Sequence, residues 1–281
     1  MSGHRDMDRL GIEMLSVFGM PPIDYVDLTA DLGCRYITTG MVGFAPVKTL
    51  GYPAFSLRDE PQLRKDLLAA MDHRGVSISL GEGLLIAPGV DVRSYAADLD
   101  VMAELRIPRI NTVSLEPDRA RTFDELAVLT ALAAERGIAT CLEPVVGLSI
   151  ADLPSAIAAL EYVDRDEISV LIDTMHVARF SASPDDLRSI PAERIGYIQL
   201  SDTTMQKRME HYAEEAMFER MAPGEGELPL LEMLTALPQD LIVGLEIPMR
   251  SRAEAGVSAR DRLLPCVESA RSLLGRAREN H

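Results

Sequence analysis

Short apolar runs and longer amphipathic stretches alternate along the chain, in a unit that recurs after roughly 30 residues. Each unit has an apolar, β-rich run, then a polar loop, then a stretch with helical periodicity, which is the order of a βαβ unit. The runs are almost continuously apolar, as in Ile168-Ser-Val-Leu-Ile172, and this is typical of parallel strands that are covered on both faces. Eight runs predict eight strands, at residues 11–18, 35–41, 77–86, 109–116, 138–145, 168–176, 195–202 and 241–248.

The amphipathic stretches between these runs predict helices. Gly75 and Gly137 each follow such a stretch directly, as expected where a helix ends in a left-handed residue. Thr122, Ser183 and Ser258 are predicted N-caps. The predicted helices are residues 61–74, 92–105, 123–136, 152–162, 228–237 and 259–278.

Eight strand and helix units predict a single (β/α)8 TIM barrel. The length of 281 residues fits, because roughly 250 residues is usual for this fold. A doubly wound open sheet is the alternative, but it usually has fewer strands, and no Gly-rich phosphate loop follows the first predicted strand. We expect one domain over residues 11–281, preceded by a disordered lead-in over residues 1–10 that lacks the pattern of a secretory signal.

Two loops that follow predicted strands are longer than usual for a barrel, at residues 42–60 and 203–227. Both are expected on the face that holds the active site of a TIM barrel. The second loop is predicted to carry a helix over residues 207–220 and a turn-rich Pro-Gly-Glu-Gly segment. It is the predicted lid of the barrel.

Composition narrows the classes of partner. The chain is 47% hydrophobic without an apolar run of about 18 residues, so we expect a soluble protein that does not enter a membrane. Lys and Arg total 28 against 44 Asp and Glu, and the net charge of −16 would repel nucleic acid and anionic membranes. Three cysteines without close spacing favour the cytoplasm.

Four predicted strands end in a polar residue at the point where the apolar pattern stops. These residues are Glu143, Asp173, Gln199 and Glu246, at the ends of strands five to eight. Strand ends of a barrel converge on one pocket, and carboxylates so close together repel each other unless a cation neutralises them. The four side chains therefore predict a divalent metal site. The alternative is that each carboxylate pairs separately with an arginine or a helix N-terminus.

With these motifs the chain resembles a known family, the xylose isomerase-like TIM barrels, a group of sugar phosphate isomerases and epimerases. The resemblance extends over nearly the whole chain. It rests on the acidic ends of strands five and eight, the Asp-x-x-His of strand six, a strand-seven donor followed by Asp, and a Pro-Gly-Glu-Gly segment. The residues concerned are Glu143, Glu246, Asp173 with His176, Gln199 with Asp202, and Arg220-Met-Ala-Pro-Gly-Glu-Gly-Glu-Leu228.

The resemblance implies that Glu143, Asp173 and Glu246 are metal ligands and that His176 faces the substrate. The chain departs from the family at Gln199, where members with epimerase chemistry carry His. An all-oxygen set of ligands favours Mn²⁺ or Mg²⁺ over Zn²⁺, with Zn²⁺ and Co²⁺ as alternatives. A second departure is Val145, where the xylose isomerases have Lys and some dehydratases have His.

Without Lys or His at position 145, the resemblance implies a mechanism in which two glutamates, Glu143 and Glu246, are the catalytic residues. A metal bound by a carbonyl and a neighbouring hydroxyl acidifies the C–H bond between them and stabilises an enediolate. One glutamate removes the proton and the other returns it. The implied activity is that of an isomerase or epimerase of a small keto-sugar, polyol or cyclitol. The alternative is a dehydratase of a keto-inositol or dehydroshikimate-type substrate, because the same enediolate can expel a β-hydroxyl.

Five further residues are candidates for binding the substrate. His176 lies in the Asp-x-x-His motif, and Glu82 ends strand three at the same mouth. Arg208, His211 and Arg220 lie on the long seventh loop, where a cation can hold a carboxylate, phosphate or hydroxyl group. The alternative is that His176 is a core histidine and that Arg208 and His211 belong to a solvated helix face.

Other classes of function remain open or are disfavoured. An endonuclease on this fold needs many histidine ligands and a basic surface, whereas the chain has five His and a net charge of −16. A binding barrel without catalysis stays open, because a fold does not fix a function. The expected partner is a small polar substrate, and a homodimer is expected by analogy alone. Asp202 is expected either to cap the following loop or to support a metal ligand.

Overall fold

Eight parallel strands close into one barrel in the computed structural model, which describes residues 9–280. Each strand pairs with its neighbour in sequence, and β1 closes the barrel by pairing with β8. The predicted single (β/α)8 TIM barrel is confirmed. The strands are β1 Leu10–Ile12, β2 Tyr36–Gly40, β3 Ser77–Glu82, β4 Arg109–Thr112, β5 Ala139–Leu142, β6 Ile168–Asp173, β7 Ile195–Leu200 and β8 Val243–Leu245.

Helices cover the outside of the barrel and connect its strands. Those of the described residues are α1 Met14–Val17, α2 Pro22–Asp31, α3 Pro61–Arg74, α4 Ala96–Glu104, α5 Arg119–Ala134, α6 Leu153–Val163, α7 Thr174–Arg179, α8 Pro184–Arg188, α9 Tyr212–Phe218, α10 Leu230–Ala236, α11 Arg250–Glu254 and α12 Ala259–Glu279. Short 3-10 turns lie at Lys48–Leu50, Val92–Tyr95 and Ala192–Arg194. Helix α3 has the predicted bounds, and Gly75 after it is left-handed, with φ 66°.

Two of the three predicted N-caps are confirmed. The side chain of Ser183 caps α8 and that of Ser258 caps α12. The prediction for Thr122 was wrong, because α5 begins at Arg119, four residues before the predicted start at residue 123. There the carboxylate of Asp118 accepts hydrogen bonds from two backbone N–H groups of the first turn. A carboxylate at this position stabilises the free donors of a helix N-terminus.

The first strand is shorter than predicted. It covers Leu10–Ile12 instead of residues 11–18, and the apolar residues after Glu13 form α1. Phe18 and Gly19 end this turn with positive φ angles of 53° and 82°, which an extended strand does not allow. Residues 1–8 of the predicted lead-in and residue 281 lie outside the described part of the chain.

The interior of the barrel is packed with side chains. Leu80, Cys141, Leu171 and Tyr197, from four different strands, form an apolar cluster inside the barrel. A larger core lies between the strands and the surrounding helices. The packed interior leaves the carboxyl ends of the strands as the place for a pocket. No helix within residues 9–280 has the length and apolar character needed to cross a bilayer.

Candidate metal centre

The four predicted metal ligands lie at the same end of the barrel. Glu143 directly follows β5, Asp173 is the last residue of β6, and Gln199 lies one residue before the end of β7. Glu246 directly follows β8. All four side chains are buried, with exposed fractions of 1 to 7%. Buried acidic groups are costly unless a partner neutralises them, so their neighbours determine what the site can do.

Three of the buried side chains in this mouth form a group that can hold a metal ion. Glu143, Asp173 and His176 each offer one ligand atom, and these three atoms lie within 4.8 Å of one another. The Nε2 atom of His176 is 3.2 Å from Oε1 of Glu143. Two carboxylates and one imidazole are a donor set that suits Mn²⁺ and Zn²⁺.

Helix α7 places His176 in this group. The sequence predicted that strand six runs to residue 176, but the strand ends at Asp173, whose carboxylate caps α7. Oδ1 of Asp173 accepts hydrogen bonds from the backbone N–H groups of Met175 (2.7 Å) and His176 (3.0 Å). One residue therefore ends the strand, starts the helix and fixes the imidazole beside its own carboxylate.

The second nitrogen of His176 contacts the loop that follows β7. Its Nδ1 atom is within hydrogen-bonding distance of the hydroxyl of Tyr212, the first residue of α9. A partner at one ring nitrogen orients the ring and fixes which nitrogen is free for a metal. Tyr212 thus couples the long loop to the metal group, a role that the sequence analysis did not assign.

Arg220 bridges two of the predicted metal ligands. Its NH1 group lies 2.5 Å from Oδ2 of Asp173, and its NH2 group lies 2.7 Å from Oε2 of Glu246. The side chain of Arg220 is 2% exposed, and its Nε donates to the carbonyl oxygen of Ala216 at 2.7 Å. The sequence assigned Arg220 to the substrate, and the structure places it between carboxylates that were assigned to the metal.

The two carboxylates that Arg220 joins have opposite pKa shifts. Burial alone would raise the pKa of Asp173, but the nearby Arg220 guanidinium lowers it to about 2. Burial dominates at Glu246 and raises its pKa well above the usual range, although Arg220 acts in the other direction. The same guanidinium therefore favours the charged form of Asp173, whereas burial favours the protonated form of Glu246.

Gln199 contributes a buried amide to the mouth of the barrel. Its Nε2 group lies 3.3 Å from Oε2 of Glu13 and 3.4 Å from Oε1 of Glu246. Its Oε1 atom is buried and accepts no hydrogen bond within residues 9–280. A buried polar atom without a partner is unusual and calls for a ligand, an ion or a water. Together with the group of Glu143, Asp173 and His176, this free donor fits a divalent cation.

Glu13 is a buried carboxylate that the sequence analysis missed. It follows β1, is fully buried, and accepts a hydrogen bond of 2.8 Å from the hydroxyl of Tyr197 inside the barrel. Burial raises its pKa to about 7. The four predicted metal ligands were identified as polar residues at the end of an apolar run, and Glu13 has the same position after β1. It was overlooked because the apolar residues of α1 extended the predicted strand past it.

Glu82 lies at the mouth, as predicted, and its partner is an amide. Asn111 of β4 donates its Nδ2 group to Oε2 of Glu82 at 3.3 Å and to Oε2 of Glu143 at 2.6 Å. Burial raises the pKa of Glu82 well above its usual range. The amide oxygen of Asn111 is buried without a partner in the described residues, as is that of Gln199. Two amides thus separate carboxylates that would otherwise repel each other.

The loop after β7 differs from the prediction. Its helix α9 covers Tyr212–Phe218 instead of residues 207–220, and residues 208–211 before it form bends. Arg208 is exposed, and its guanidinium contacts the backbone oxygen of Glu219 and lies 3.7 Å from Oε1 of Glu215. His211 is exposed at the start of α9. These contacts place Arg208 in the structure of the loop.

Asp202 anchors the end of the same loop. Its carboxylate accepts hydrogen bonds from the backbone N–H groups of Thr203 (2.8 Å), Gly224 (2.8 Å), Gly226 (3.0 Å) and Leu228 (3.2 Å). Of the two roles expected for Asp202, the structure therefore supports capping of the loop. The Pro-Gly-Glu-Gly segment wraps around this buried carboxylate. Met221, which follows Arg220, pairs with the backbone of Asp202.

Comparison with known proteins identifies relatives of this barrel. A family model described as xylose isomerase-like TIM barrel matches residues 26–264. No curated protein matches the chain. One matching structure is a fusion of a xylose isomerase-like TIM barrel with 4-hydroxyphenylpyruvate dioxygenase, with 20% identity and a TM-score of 0.74. The match covers 97% of this chain but only 43% of the length of that fusion protein.

Three further solved structures are similar over their whole length. The IOLI protein with a bound zinc atom has 16% identity and a TM-score of 0.76, with 97% of this chain and 99% of that chain covered. D-psicose 3-epimerase from Clostridium cellulolyticum H10 has 15% identity and a TM-score of 0.67, with 96% and 98% covered. The probable 3-DHS dehydratase AsbF from Bacillus anthracis has 15% identity and a TM-score of 0.73, with 93% and 98% covered.

Proposed function

The chain belongs to the xylose isomerase-like TIM barrel family, and we propose that it is a divalent-metal-dependent isomerase or epimerase of a small keto-sugar, polyol or cyclitol. One observation carries the proposal. The buried group of Glu143, Asp173 and His176 can hold a metal in the same mouth that contains two further carboxylates on other strands, Glu82 and Glu246. A metal next to acid and base groups is what proton transfer beside a carbonyl requires.

The metal is proposed to bind the group of Glu143, Asp173 and His176, with Oε1 of Gln199 as a further donor. When bound, a divalent metal polarises the carbonyl oxygen of the substrate and acidifies the neighbouring C–H bond. We propose Mn²⁺ as the first ion to test, because carboxylate and amide oxygens suit Mn²⁺ and Mg²⁺. The imidazole of His176 extends the range to Zn²⁺, the metal bound in the IOLI protein.

The proposed proton transfer uses two glutamates on different sides of the mouth. Glu143 follows β5 and Glu246 follows β8, so that β6 and β7 with Asp173 and Gln199 lie between them. A substrate held between these carboxylates loses a proton to one of them and receives a proton from the other on its opposite face. This arrangement favours inversion at a carbon beside the carbonyl, which is epimerisation. Arg220 orients Glu246 through the 2.7 Å contact.

A dehydratase is the second candidate. The similarity to the probable 3-DHS dehydratase supports this alternative at the level of the fold. The same proton abstraction, followed by loss of a hydroxyl one carbon further on, gives elimination instead of epimerisation. The nature of the product distinguishes the two reactions.

Exchange of substrate hydrogen in heavy water tests the proposal. A panel of ketoses, keto-cyclitols and dehydroshikimate-type acids is incubated with the Mn²⁺-supplemented protein in D2O and followed by proton NMR. We expect deuterium at the carbon beside the carbonyl, together with an epimer. An unsaturated product would instead assign the dehydratase. Absence of turnover across the panel from a protein that binds Mn²⁺ would favour a binding barrel.

Two variants and a control make the test specific. Glu143→Gln and Glu246→Gln keep the size of the side chain but remove the base, so each should lower the exchange rate by a factor of about 100 or more. Glu167→Gln is the control, because Glu167 is exposed and directly precedes β6, at the other end of the barrel. Exchange that persists at the wild-type rate in both active-site variants would contradict the two-glutamate scheme.

A further inference from the structure

The carboxylate of Glu13 is held at one position in the barrel. Its backbone N–H donates to the carbonyl oxygen of Leu245 at 3.1 Å, and the hydroxyl of Tyr197 donates to Oε1 at 2.8 Å. Gly244 provides the space for it, because a Cβ atom there would lie 1.5 Å from Oε1 of Glu13. Burial of a carboxylate is costly, and here a tyrosine hydrogen bond and the space left by a glycine both accommodate it. This indicates a specific role for Glu13 rather than simple filling of the core.

Glu13 determines which way the amide of Gln199 faces. The two carboxylate oxygens near this amide, on Glu13 and Glu246, lie 3.3 and 3.4 Å from Nε2. A rotation of the amide by 180° would place the carbonyl oxygen against both carboxylate oxygens, where acceptors repel each other. The observed orientation directs the NH2 group to the carboxylates and leaves Oε1 buried and without a partner within residues 9–280.

The strand register places the side chain of Gln199 next to that of Asp173. Gln199 and Asp173 are paired residues of the adjacent strands β7 and β6, so their side chains leave the sheet on the same face. On the other side of Gln199, the paired residue of β8 is Gly244, beside which Glu13 lies. The amide therefore lies between Glu13 on one side and the metal-binding Asp173 on the other.

We propose that Glu13 is a positioning residue, whose carboxylate fixes the amide of Gln199 so that Oε1 is presented to a divalent cation as a neutral oxygen donor. The proposal rests on the proposed function, because it needs the cation. It explains why a glutamine can stand at this strand end in a metal site, since an unconstrained amide would present either its oxygen or its NH2 group. It also explains the glycine at position 244.

Metal affinity in a double-mutant cycle tests the proposal without any assay of turnover. The dissociation constant of Mn²⁺ is measured by electron paramagnetic resonance for wild type, Glu13→Gln, Gln199→Ala and the double variant. Glu13→Gln should weaken Mn²⁺ binding by a factor of about 10 to 100, as is usual for partners that orient a metal ligand. The same substitution should have little further effect on the Gln199→Ala protein, because its target is gone.

Two more variants separate positioning from charge and from folding. Glu82→Gln removes a carboxylate from the same mouth without touching Gln199, so its loss of affinity measures the effect of charge alone and should be smaller. Tyr197→Phe removes the hydrogen bond to Glu13 with the smallest change in the packed barrel and should weaken Mn²⁺ binding in the same direction. Circular dichroism checks that each variant is folded, and Tyr197→Phe replaces Glu13→Gln if the latter is not.

The outcomes are distinct. The proposal is overturned if Glu13→Gln weakens Mn²⁺ binding no more than Glu82→Gln does. It is also overturned if Glu13→Gln has the same effect with and without Gln199. Either result would leave the proposed function intact, because the wild type would still bind the metal. Failure of the wild type to bind Mn²⁺ would contradict both.

Discussion

Arg220 contacts Asp173, a proposed metal ligand, and Glu246, and this contact gives a testable prediction about stability and metal binding. The guanidinium of Arg220 contacts Asp173 at 2.5 Å and Glu246 at 2.7 Å. The substitution Arg220→Met keeps an unbranched, flexible side chain, although a shorter one, and removes the charge. Two buried carboxylates then face each other without the guanidinium, a state that a bound divalent cation can relieve.

The size of the effect follows from burial. Removing one partner of a buried ion pair costs about 3 to 5 kcal/mol, because it leaves uncompensated buried charge. With about 2 °C per kcal/mol for a chain of this size, the apparent Tm in EDTA should fall by roughly 6 to 10 °C. Saturating Mn²⁺ should recover most of this loss, because a ligand that binds the folded state stabilises it. The increase in Tm on adding Mn²⁺ should therefore be larger for Arg220→Met than for wild type.

The assay is differential scanning fluorimetry at pH 8, with EDTA or with a series of Mn²⁺ concentrations. Arg188→Met is the matched control, because Arg188 pairs with Asp185 on the surface, where the two side chains are 50% and 90% exposed. Exposed pairs contribute about 0 to 1 kcal/mol, so this variant should stay near the wild-type Tm. A Tm of Arg220→Met within about 2 °C of wild type in EDTA would refute the claim that Arg220 neutralises Asp173 and Glu246.

Three further predictions concern the surroundings of the site. Burial raises the pKa of the thiols to about 11 for Cys34 and Cys141 and to about 12 for Cys266. Iodoacetamide at pH 8 should therefore modify them only after unfolding, as mass spectrometry would show, and rapid labelling of the native protein would contradict this. Asp202→Asn loses acceptors for the backbone of the long loop, so it should lower the free energy of unfolding by about 1 to 3 kcal/mol. It should also speed cleavage of that loop by trypsin, and unchanged cleavage would show that the carboxylate does not hold the loop. Tyr212→Phe should weaken Mn²⁺ binding by a factor of about 10 in calorimetry, because its hydroxyl orients the imidazole ligand; unchanged affinity would remove this role.

The fold could be predicted because the pattern of parallel strands repeats eight times and each repeat constrains the next. The carboxylates at the strand ends could be found for the same reason, since barrel topology brings successive strand ends together whatever lies between them. The pattern failed at Glu13, because α1 continues the apolar run after β1 and hides the strand end. The placement of His176 also depended on local chemistry, since Asp173 caps a helix that the apolar pattern did not separate from the strand.

Side-chain pairing across the barrel was beyond the sequence. Arg220 lies 47 residues from Asp173 along the chain, and the backbone pairing of Asp202 with Met221 brings it back to the site. Amide orientation is equally invisible, because it is decided by neighbours on other strands. Helix α9 was predicted too long, since residues 208–211 form bends instead. They lie close to Glu215, whose buried carboxylate contacts Arg179 and Arg208.

Binding of Mn²⁺ tests the central claim most directly, namely that the buried group of Glu143, Asp173 and His176 is a metal site. Calorimetric titration of the EDTA-treated and dialysed protein should give about one Mn²⁺ per chain, with Asp173→Asn losing most of the affinity. Asp100→Asn, at an exposed ion pair with Arg136, is the control and should bind like the wild type. A wild-type protein that binds no Mn²⁺, Mg²⁺ or Zn²⁺ at millimolar concentration would contradict the metal site and the function proposed from it.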